Sequence, residues 1–201
     1  ALAANLSGPR RIKSGAARDH FLGVSAISGR GEAFKSGGRV VKNVTGYDLC
    51  KLLAGSFGTL AAMTDVTIKT LPTAETEETL MVLGLDAAAA MRAMAAAMGA
   101  SCDVSGAAHL PQAVAARLAG AGKAVTAFRL EGFAPSVAHR KTMLETLMQP
   151  LGTLVTWDAQ GSRTFWRGVR DATPFAADTG SDARVLWRIS TVPTRGAELA
   201  R

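Results

Sequence analysis

Residues 37–70 decide the fold of the first part of the chain, and they read GGRVVKNVTGYDLCKLLAGSFGTLAAMTDVTIKT. The β-branched valines within positions 40–44 favour an extended strand. The leucines of segment 49–53 then take the i, i+3, i+4 spacing of the apolar face of a short helix. A glycine loop follows, and residues 60–70 form a run rich in Val, Ile and Thr. The predicted order is therefore strand, helix, glycine loop, strand.

The glycine loop, Gly55-Ser56-Phe57-Gly58-Thr59, follows a helix and enters a strand. A dinucleotide-binding fingerprint of the Rossmann type has the opposite order, with the glycines between a strand and a helix. The spacing alone leaves two interpretations open. The loop is either a tight connection or a place where the main chain approaches a ligand, since glycines permit close approach and loop amides can bind an anion.

Several motifs of this region together resemble the second half of the FAD-binding domain of the vanillyl-alcohol oxidase (PCMH) type, in the family of D-lactate dehydrogenase and glycolate oxidase. KNVTGYDL (42–49) and GSFGTL (55–60) match the family pattern K-N-x-T-G-Y-D-L followed by G-S-x-G-T-L. ANLSG (4–8) and RDHFLG (18–23) are similar to its upstream A-N-x-S-G and R-D-x-x-L-G. The resemblance covers about residues 1–72. Within the family, GGRVVKNVTGYDL and WRIS are most similar to FAD-binding subunits of bacterial glycolate oxidases.

This resemblance implies FAD as the cofactor, and an FAD-binding subunit of a glycolate oxidase-type complex that oxidises 2-hydroxy acids. Electrons from glycolate would pass through the flavin to partner redox subunits, namely a second flavin subunit and an iron–sulfur subunit. A non-catalytic assembly or electron-transfer subunit with a flavin-type fold is the alternative. The resemblance implies cofactor-binding positions at Ala4, Asn5, Ser7, Gly8, Gly46, Gly55, Ser56, Gly58, Thr59, Leu60 and Ala62.

Composition excludes several other classes of protein. The hydrophobic content of 48% is typical of a globular chain with a core. The net charge of +7 is spread along the sequence and aromatic residues make up only 5%, which argues against nucleic-acid binding. No apolar run reaches the roughly 18 residues of a membrane-spanning helix. Two distant cysteines and no recognisable signal peptide favour a cytoplasmic setting without a metal site. The resemblance adds attachment at the inner membrane through partners.

Pro72 and the polar residues 73–78 predict a boundary between domain 1–72 and domain 79–201. The second domain alternates strands with helices. The predicted strands are 79–85, 101–107, 123–131, 154–157 and 184–191, and the predicted helices are 86–98, 112–118, 135–148 and 164–171. This β-α-β-β-α-β pattern predicts a ferredoxin-like sheet with helices on one face. The fold class is therefore α+β: the C-terminal half of a PCMH-type FAD-binding domain, followed by an incomplete ferredoxin-like cap domain.

WRGVRD (166–171) and WRIS (187–190) resemble signatures of the family's cap domain, which holds arginines near the substrate. Arg170 and Arg188 are accordingly candidates to bind a substrate carboxylate through two parallel hydrogen bonds, with surface arginines as the alternative. None of the three histidines lies in a recognisable catalytic setting, so no general base is assigned. The chain starts with an alanine and lacks the family's upstream pyrophosphate loop. We therefore expect a part of a longer protein that is inactive alone.

Overall fold

β-Strands form an antiparallel sheet in each of two units of the chain, Ala1–Thr73 and Ala74–Arg201. The structure is a computed structural model, and it describes residues 1–42, 46–176 and 187–199. The described strands of the first unit are β1 (Phe21–Ser28), β2 (Ala33–Gly37) and β3 (Ala61–Ile68), in the sheet order β2–β1–β3. Its helices are α1 (Arg11–Ser14) and α2 (Leu49–Leu53), with a 3-10 turn at Ala17–His20.

A small core lies between the first sheet and α2. Phe21, Val24 and Ala26 of the central strand β1 are buried together with Cys50 and Leu53 of α2. The helix starts where the Asp48 carboxylate accepts a hydrogen bond from the Lys51 amide at 3.1 Å, an N-cap that satisfies one of the free amides of the first turn. The predicted helix α2 and strand β3 are confirmed.

The prediction of a strand around the valines of positions 40–44 is wrong for the residues of this segment that the structure describes. β2 ends at Gly37, and Val40 and Val41 are exposed and irregular, while Val44 lies outside the described residues. At Gly37 the backbone has a φ of +72°, and a Cβ there would lie only 2.1 Å from the Leu22 carbonyl oxygen. The chain lies so close to β1 at Gly37 that there is no room for a side chain, and strand β2 ends here.

In the second unit, four described strands form a sheet in the order β5–β6–β4–β7, with every neighbouring pair antiparallel. The strands are β4 (Thr76–Leu83), β5 (Gly106–Leu110), β6 (Val125–Gly132) and β7 (Thr153–Trp157). The helices are α3 (Ala87–Gly99), α4 (Gln112–Ala119), α5 (Ala134–Met148), α6 (Ala159–Arg170) and α7 (Gly196–Leu199). The connections β4–α3–β5 and β6–α5–β7 are those of a ferredoxin-like arrangement, with α4 added between β5 and β6.

Both faces of this sheet are covered, so the prediction of helices on one face is wrong. Leu80 and Val82 face the core that contains α3 and α5. Met81, between them on β4, faces the opposite core with α4 and α6, where Phe165 and Trp166 are buried. A strand that is apolar on both faces needs cover on both, and the strongly amphipathic α6 supplies the second layer.

Several element starts also differ from prediction, and β4 starts at Thr76 rather than at 79. β5 starts at Gly106 rather than at 101, because Asp103 has a φ of +50° and the Arg140 guanidinium binds the carbonyl oxygens of Cys102 and Asp103 at 3.4 and 3.1 Å. α6 starts at Ala159 rather than at 164, capped by Asp158. Of the predicted strand 184–191, residues 187–191 are irregular and 184–186 lie outside the described residues.

A buried polar network fastens α6 to the sheet. Trp166 Nε1 donates to Thr79 Oγ1 at 2.8 Å, and Ser162 Oγ lies 2.8 Å from the same Thr79 oxygen. Ser162 also donates to Glu77 Oε1 at 2.8 Å. The Arg129 guanidinium lies 4.8 Å from the centre of the Trp166 ring, within the range of a cation–π contact. The tryptophan of WRGVRD therefore has a structural role.

We predict that Thr79→Val lowers the free energy of unfolding by about 1–3 kcal/mol, because Trp166 Nε1 loses its acceptor inside the core. Urea denaturation measures this change. The matched control is Thr153→Val, at an exposed threonine of β7, which should change the free energy by no more than about 0.5 kcal/mol. Equal effects of the two substitutions would contradict a special role for the Thr79 hydroxyl.

Candidate cofactor-binding site

The glycine loop forms a tight turn between α2 and β3. Phe57 and Gly58 have φ values of +55° and +81°, and the Thr59 amide donates to the Ser56 carbonyl at 3.0 Å. Two consecutive positive φ values are the mark of a primed turn, which needs glycine or a tolerant residue in its centre. The Gly55 φ of +89° precedes this turn. The loop therefore exposes main chain on a sharply bent path.

Leu2, Ala3 and Asn5 lie against this loop, although about fifty residues separate them from it in sequence. The Gly55 amide donates to the Leu2 carbonyl at 3.2 Å, and the Phe57 amide donates to the Ala3 carbonyl at 2.8 Å. An added Cβ on Gly55 would lie 3.6 Å from the Asn5 Cβ. The structure thus places two of the sequence-predicted segments, 4–8 and 55–60, beside each other.

The side chains of Asn5 and Ser7 anchor their own segment. Asn5 Oδ1 accepts a hydrogen bond from the Arg18 amide at 3.1 Å, and Ser7 Oγ accepts one from the Ala17 amide at 2.9 Å. Both side chains therefore hold the segment to the 3-10 turn at Ala17–His20. What residues 4–8 can present to a ligand is mainly their backbone.

The loop borders open space on one side. A Cβ added at Gly58 would meet no atom within 4 Å, and the same holds at Gly46. Thr59, Leu60 and Ala62 are exposed. A bare backbone facing open space allows a ligand to approach to van der Waals distance. These residues therefore fit a cofactor that lies against the main chain.

Most amides of the loop are already used within the first unit. The Ser56 amide donates to the Leu53 carbonyl at 3.1 Å, in addition to the bonds of Gly55, Phe57 and Thr59 given above. Among the described residues, none accepts a hydrogen bond from the Gly58 amide. The loop therefore allows a ligand to approach the main chain closely, but most of its amides are not free to donate hydrogen bonds to that ligand. Strong binding of a diphosphate needs further groups.

Gly46 lies at the opposite end of α2 from the glycine loop. A cleft opens there, and its lining includes Leu22, Gly37, Tyr47 and Lys51. Lys51 Nζ donates to the Phe21 carbonyl at 2.9 Å and lies 3.8 Å from Asp48 Oδ2. Because a five-residue helix is about 7.5 Å long, an extended ligand can span both ends of α2.

The two candidate arginines lie on exposed surface of the second unit. Arg170 is the last residue of α6, and its Nε and Nη2 donate to the two carboxylate oxygens of Asp171 at 2.7 and 2.8 Å. This hydrogen-bonded pair raises the pKa of Arg170 and lowers the pKa of Asp171. Arg188 lies in the irregular segment after residue 186. No described contact joins the two arginines.

His20 and the two cysteines have structural environments. His20 Nδ1 lies 3.0 Å from the Lys69 carbonyl oxygen and Nε2 lies 2.8 Å from the Ser14 carbonyl oxygen, so the ring bridges two chain segments. Burial raises the pKa of the Cys50 and Cys102 thiols, which makes them poor nucleophiles. Within the part of the chain that the structure describes, no cluster of His, Cys, Asp and Glu could hold a metal ion.

Sequence comparison finds relatives that match about a third of the chain. The chain is 48% identical over 71 residues to the glycolate oxidase subunit GlcE of Escherichia coli (strain K12), covering 35% of this chain and 20% of that protein. It is 47% identical over 68 residues to an uncharacterized FAD-linked oxidoreductase of Mycobacterium tuberculosis (strain ATCC 25618 / H37Rv), covering 34% and 15%. No family model matches the chain.

A solved structure shares the fold. An alkyldihydroxyacetonephosphate synthase superimposes with a TM-score of 0.64 at 14% identity, over 87% of this chain and 36% of that one. The predicted fold class, a mixture of helices and antiparallel sheets similar to part of such enzymes, is confirmed. The chain spans about a fifth or less of the length of the curated relatives named above. Among the described helices, none has the length and apolar character needed to cross a bilayer.

His109 gives a pH-dependent prediction for the second unit. Its Nδ1 lies 3.0 Å from Thr126 Oγ1, and burial lowers its pKa below the ordinary 6.5, partly offset by Asp86. A lowered pKa means that the unfolded chain takes up the proton first as pH falls. The contribution of His109 to the free energy of unfolding is therefore complete above pH 6.5 and decreases as pH falls through the lowered pKa that this residue has in the folded protein.

We predict that His109→Gln makes the loss of unfolding free energy between pH 7.5 and pH 5 shallower, as measured by urea denaturation at several pH values. His139→Gln, at an exposed histidine of α5, is the control and should leave the slope unchanged. An unchanged slope in His109→Gln would contradict the assignment.

Proposed function

We propose that this chain is part of the FAD-binding subunit of a glycolate oxidase-type complex that oxidises 2-hydroxy acids. The observation that carries the proposal is the juxtaposition of residues 4–8 with the glycine loop, where exposed main chain borders open space. The names and identities of the relatives supply the chemistry, since they include a glycolate oxidase subunit and an FAD-linked oxidoreductase.

In this proposal FAD lies against the first unit. Its diphosphate and adenosine end contacts the backbone of the glycine loop, and the segment 4–8 lines the same surface. The proposed binding positions are those that the resemblance implies: Ala4, Asn5, Ser7, Gly8, Gly46, Gly55, Ser56, Gly58, Thr59, Leu60 and Ala62. The flavin, when bound, supplies the acceptor for the hydride of the substrate's α-carbon.

The second unit would bind the substrate carboxylate. Arg170 already forms the planar, two-bond contact that a carboxylate substrate would make, but its partner is Asp171. A substrate carboxylate must therefore displace Asp171 from the guanidinium. The buried contacts of Trp166 fix α6 and thereby the position from which Arg170 reaches out. Arg188 is a second cation for the same role.

The alternative is an assembly or electron-transfer subunit that binds flavin without oxidising substrate itself. The Arg170 guanidinium is already hydrogen-bonded to the neighbouring Asp171 carboxylate. This pairing favours the second interpretation, because the guanidinium is not free to bind a substrate. In either case the partners would be a second flavin subunit and an iron–sulfur subunit, in the cytoplasm or at the inner membrane. Glycolate oxidation by the purified subunit without these partners would separate catalysis from assembly.

We predict that Gly58→Ala weakens FAD binding at least about tenfold, because a methyl group would occupy the space that the cofactor needs beside the loop. Flavin released on denaturation and a fluorescence titration with FAD measure the effect, in preparations of the chain with and without co-purifying proteins. If no preparation contains or binds flavin, the cofactor proposal fails.

Gly31→Ala is the matched control for backbone strain. Gly31 has a φ of +79°, close to the +81° of Gly58, and a Cβ there also meets no atom within 4 Å. It lies in the β1–β2 connection, away from the glycine loop in sequence. If both substitutions weaken FAD binding equally, strain rather than contact with the cofactor explains the loss.

We further predict that Arg170→Gln weakens glycolate binding to the FAD-loaded chain by about tenfold or more, since charge-assisted paired hydrogen bonds are lost. Perturbation of the flavin absorbance by glycolate gives the affinity. Arg163→Gln, on the exposed side of the same helix, should leave the affinity unchanged. Equal affinity in Arg170→Gln and the unaltered chain would remove Arg170 from the substrate site while leaving the cofactor proposal intact.

A further inference from the structure

His20 connects separate segments of the first unit through main-chain oxygen atoms. Its Nε2 lies 2.8 Å from the Ser14 carbonyl oxygen, at the end of α1, and its Nδ1 lies 3.0 Å from the Lys69 carbonyl oxygen, just after β3. The Lys69 amide donates in return to the His20 carbonyl at 2.7 Å. The half-buried ring therefore lies between two acceptors, one at each of its nitrogens.

The chemistry of these two partners determines which form of the ring can bind both. A carbonyl oxygen only accepts hydrogen bonds, so each ring nitrogen needs a hydrogen atom to bind its partner. A neutral imidazole has one N–H group and one bare nitrogen, whereas an imidazolium ring has two N–H groups. With a neutral ring, one nitrogen lone pair would face a carbonyl lone pair. Both contacts are therefore hydrogen bonds only when His20 is protonated.

Cations predominate among the charged groups on the elements that surround His20. The segment 10–14, the 3-10 turn at Ala17–His20, α2 and the end of β3 contribute Arg10, Arg11, Lys13, Arg18, Asp19, Asp48, Lys51 and Lys69, and β1 has no charged residue. Exposed cations such as Lys13 and Arg18 oppose a further positive charge only weakly, because water and salt screen them. The two carbonyl contacts act at hydrogen-bond distance and favour the charged ring.

The 3-10 turn that ends at His20 also holds the segment 4–8. The Ala17 amide donates to Ser7 Oγ at 2.9 Å, and the Arg18 amide donates to Asn5 Oδ1 at 3.1 Å. Asn5 in turn lies against the glycine loop. A continuous series of contacts therefore leads from the His20 ring, through the turn, to the surface that borders the loop.

We propose that His20 is a pH-sensitive bridge that orders this surface. In its protonated form the ring binds the Ser14 and Lys69 carbonyls and fixes the 3-10 turn and, through it, residues 4–8. When the ring loses one proton, one of the two contacts is lost. The unfolded chain has neither contact, so the stabilisation from the second contact is present at low pH and is lost as pH rises. This sign is opposite to that of His109 in the second unit.

Nitrogen NMR of the histidine side chains in the 201-residue chain tests the protonation state directly. The chemical shifts of Nδ1 and Nε2 distinguish an imidazolium ring from either neutral form. We expect both nitrogens of His20 to carry hydrogen at about pH 5.5 and only one at about pH 8.5, a range that brackets the usual titration of histidine. The variant His20→Gln identifies the His20 signals. A neutral His20 ring in the folded chain at the lower pH would contradict the proposal.

Amide hydrogen exchange tests whether the ring holds the turn. The protection factors of the Ala17 and Arg18 amides should fall at least about tenfold across the same pH range, because a charge-assisted hydrogen bond is lost. In His20→Gln they should be low at both pH values, whereas His139→Gln, at an exposed histidine of α5, should retain the full change. Equal pH dependence in the unaltered chain and in His20→Gln would contradict the proposal. If His20→Gln does not fold, the Val24 amide of β1 in the unaltered chain is the reference, and equal changes at Val24 and Ala17 would contradict it.

The effect on cofactor affinity rests on the proposed function. The dissociation constant for FAD should rise at least about threefold from the lower to the higher pH, because binding must then also order residues 4–8. The same rise is expected in His139→Gln, and a high, nearly constant value in His20→Gln. An FAD affinity that does not change while the Ala17 protection falls would contradict the link between the bridge and the cofactor surface. If the chain binds no FAD at either pH, the proposed function fails, and the exchange experiment still decides whether the bridge exists.

Discussion

Two main-chain hydrogen bonds, from the amides of Gly55 and Phe57 to the carbonyl oxygens of Leu2 and Ala3, hold the candidate cofactor site together. They require two irregular segments to run within backbone contact distance. Each such bond contributes only about 1 kcal/mol to stability. Their larger consequence is geometric, because they fix the path of the main chain that borders the open space.

The second unit is fixed in a different way, through buried polar side chains. Glu77, Thr79 and Ser162 form a hydrogen-bonded chain between the sheet and α6, and Trp166 joins it to the Arg129 guanidinium. A buried polar group without a partner costs more than a formed bond contributes. The network therefore selects one rotation and one depth for α6. The exposed arginines of that helix take their positions from this buried contact, whichever ligand they bind.

Local patterns predicted most elements, and two of the failures have a common cause. The i, i+3, i+4 leucines and the Asp48 cap predicted α2, and the Asp86 cap with its alanine run predicted α3. The wrong start of β5 and the wrong strand after β2 depend on remote contacts, whereas the wrong start of α6 is a missed local cap at Asp158. Arg140 binds the carbonyls of Cys102 and Asp103 from more than thirty residues away, and the end of β2 depends on Leu22. Hydrophobic periodicity carries no information about such contacts.

The same distinction applies to the candidate site. The motif predicted the glycines of the site. It could not predict the contact between residues 1–8 and the loop, since main-chain hydrogen bonds do not require particular side chains. The polar network in the second unit was missed as well, although Glu77, Thr79, Arg129 and Glu131 share one face of paired strands. Four polar residues at alternate positions of two paired strands are the signal that could have revealed it.

A site built from main chain has a particular sensitivity to substitution. Most side chains of the first unit can change without altering the surface that a cofactor would contact, provided that the small residues remain. Asn5, Ser7 and Asp48 act on that surface indirectly, because they hold segments in place through hydrogen bonds. Their replacement should lower the stability of the unit before it lowers affinity. A group added at an open glycine, by contrast, changes the contact surface itself.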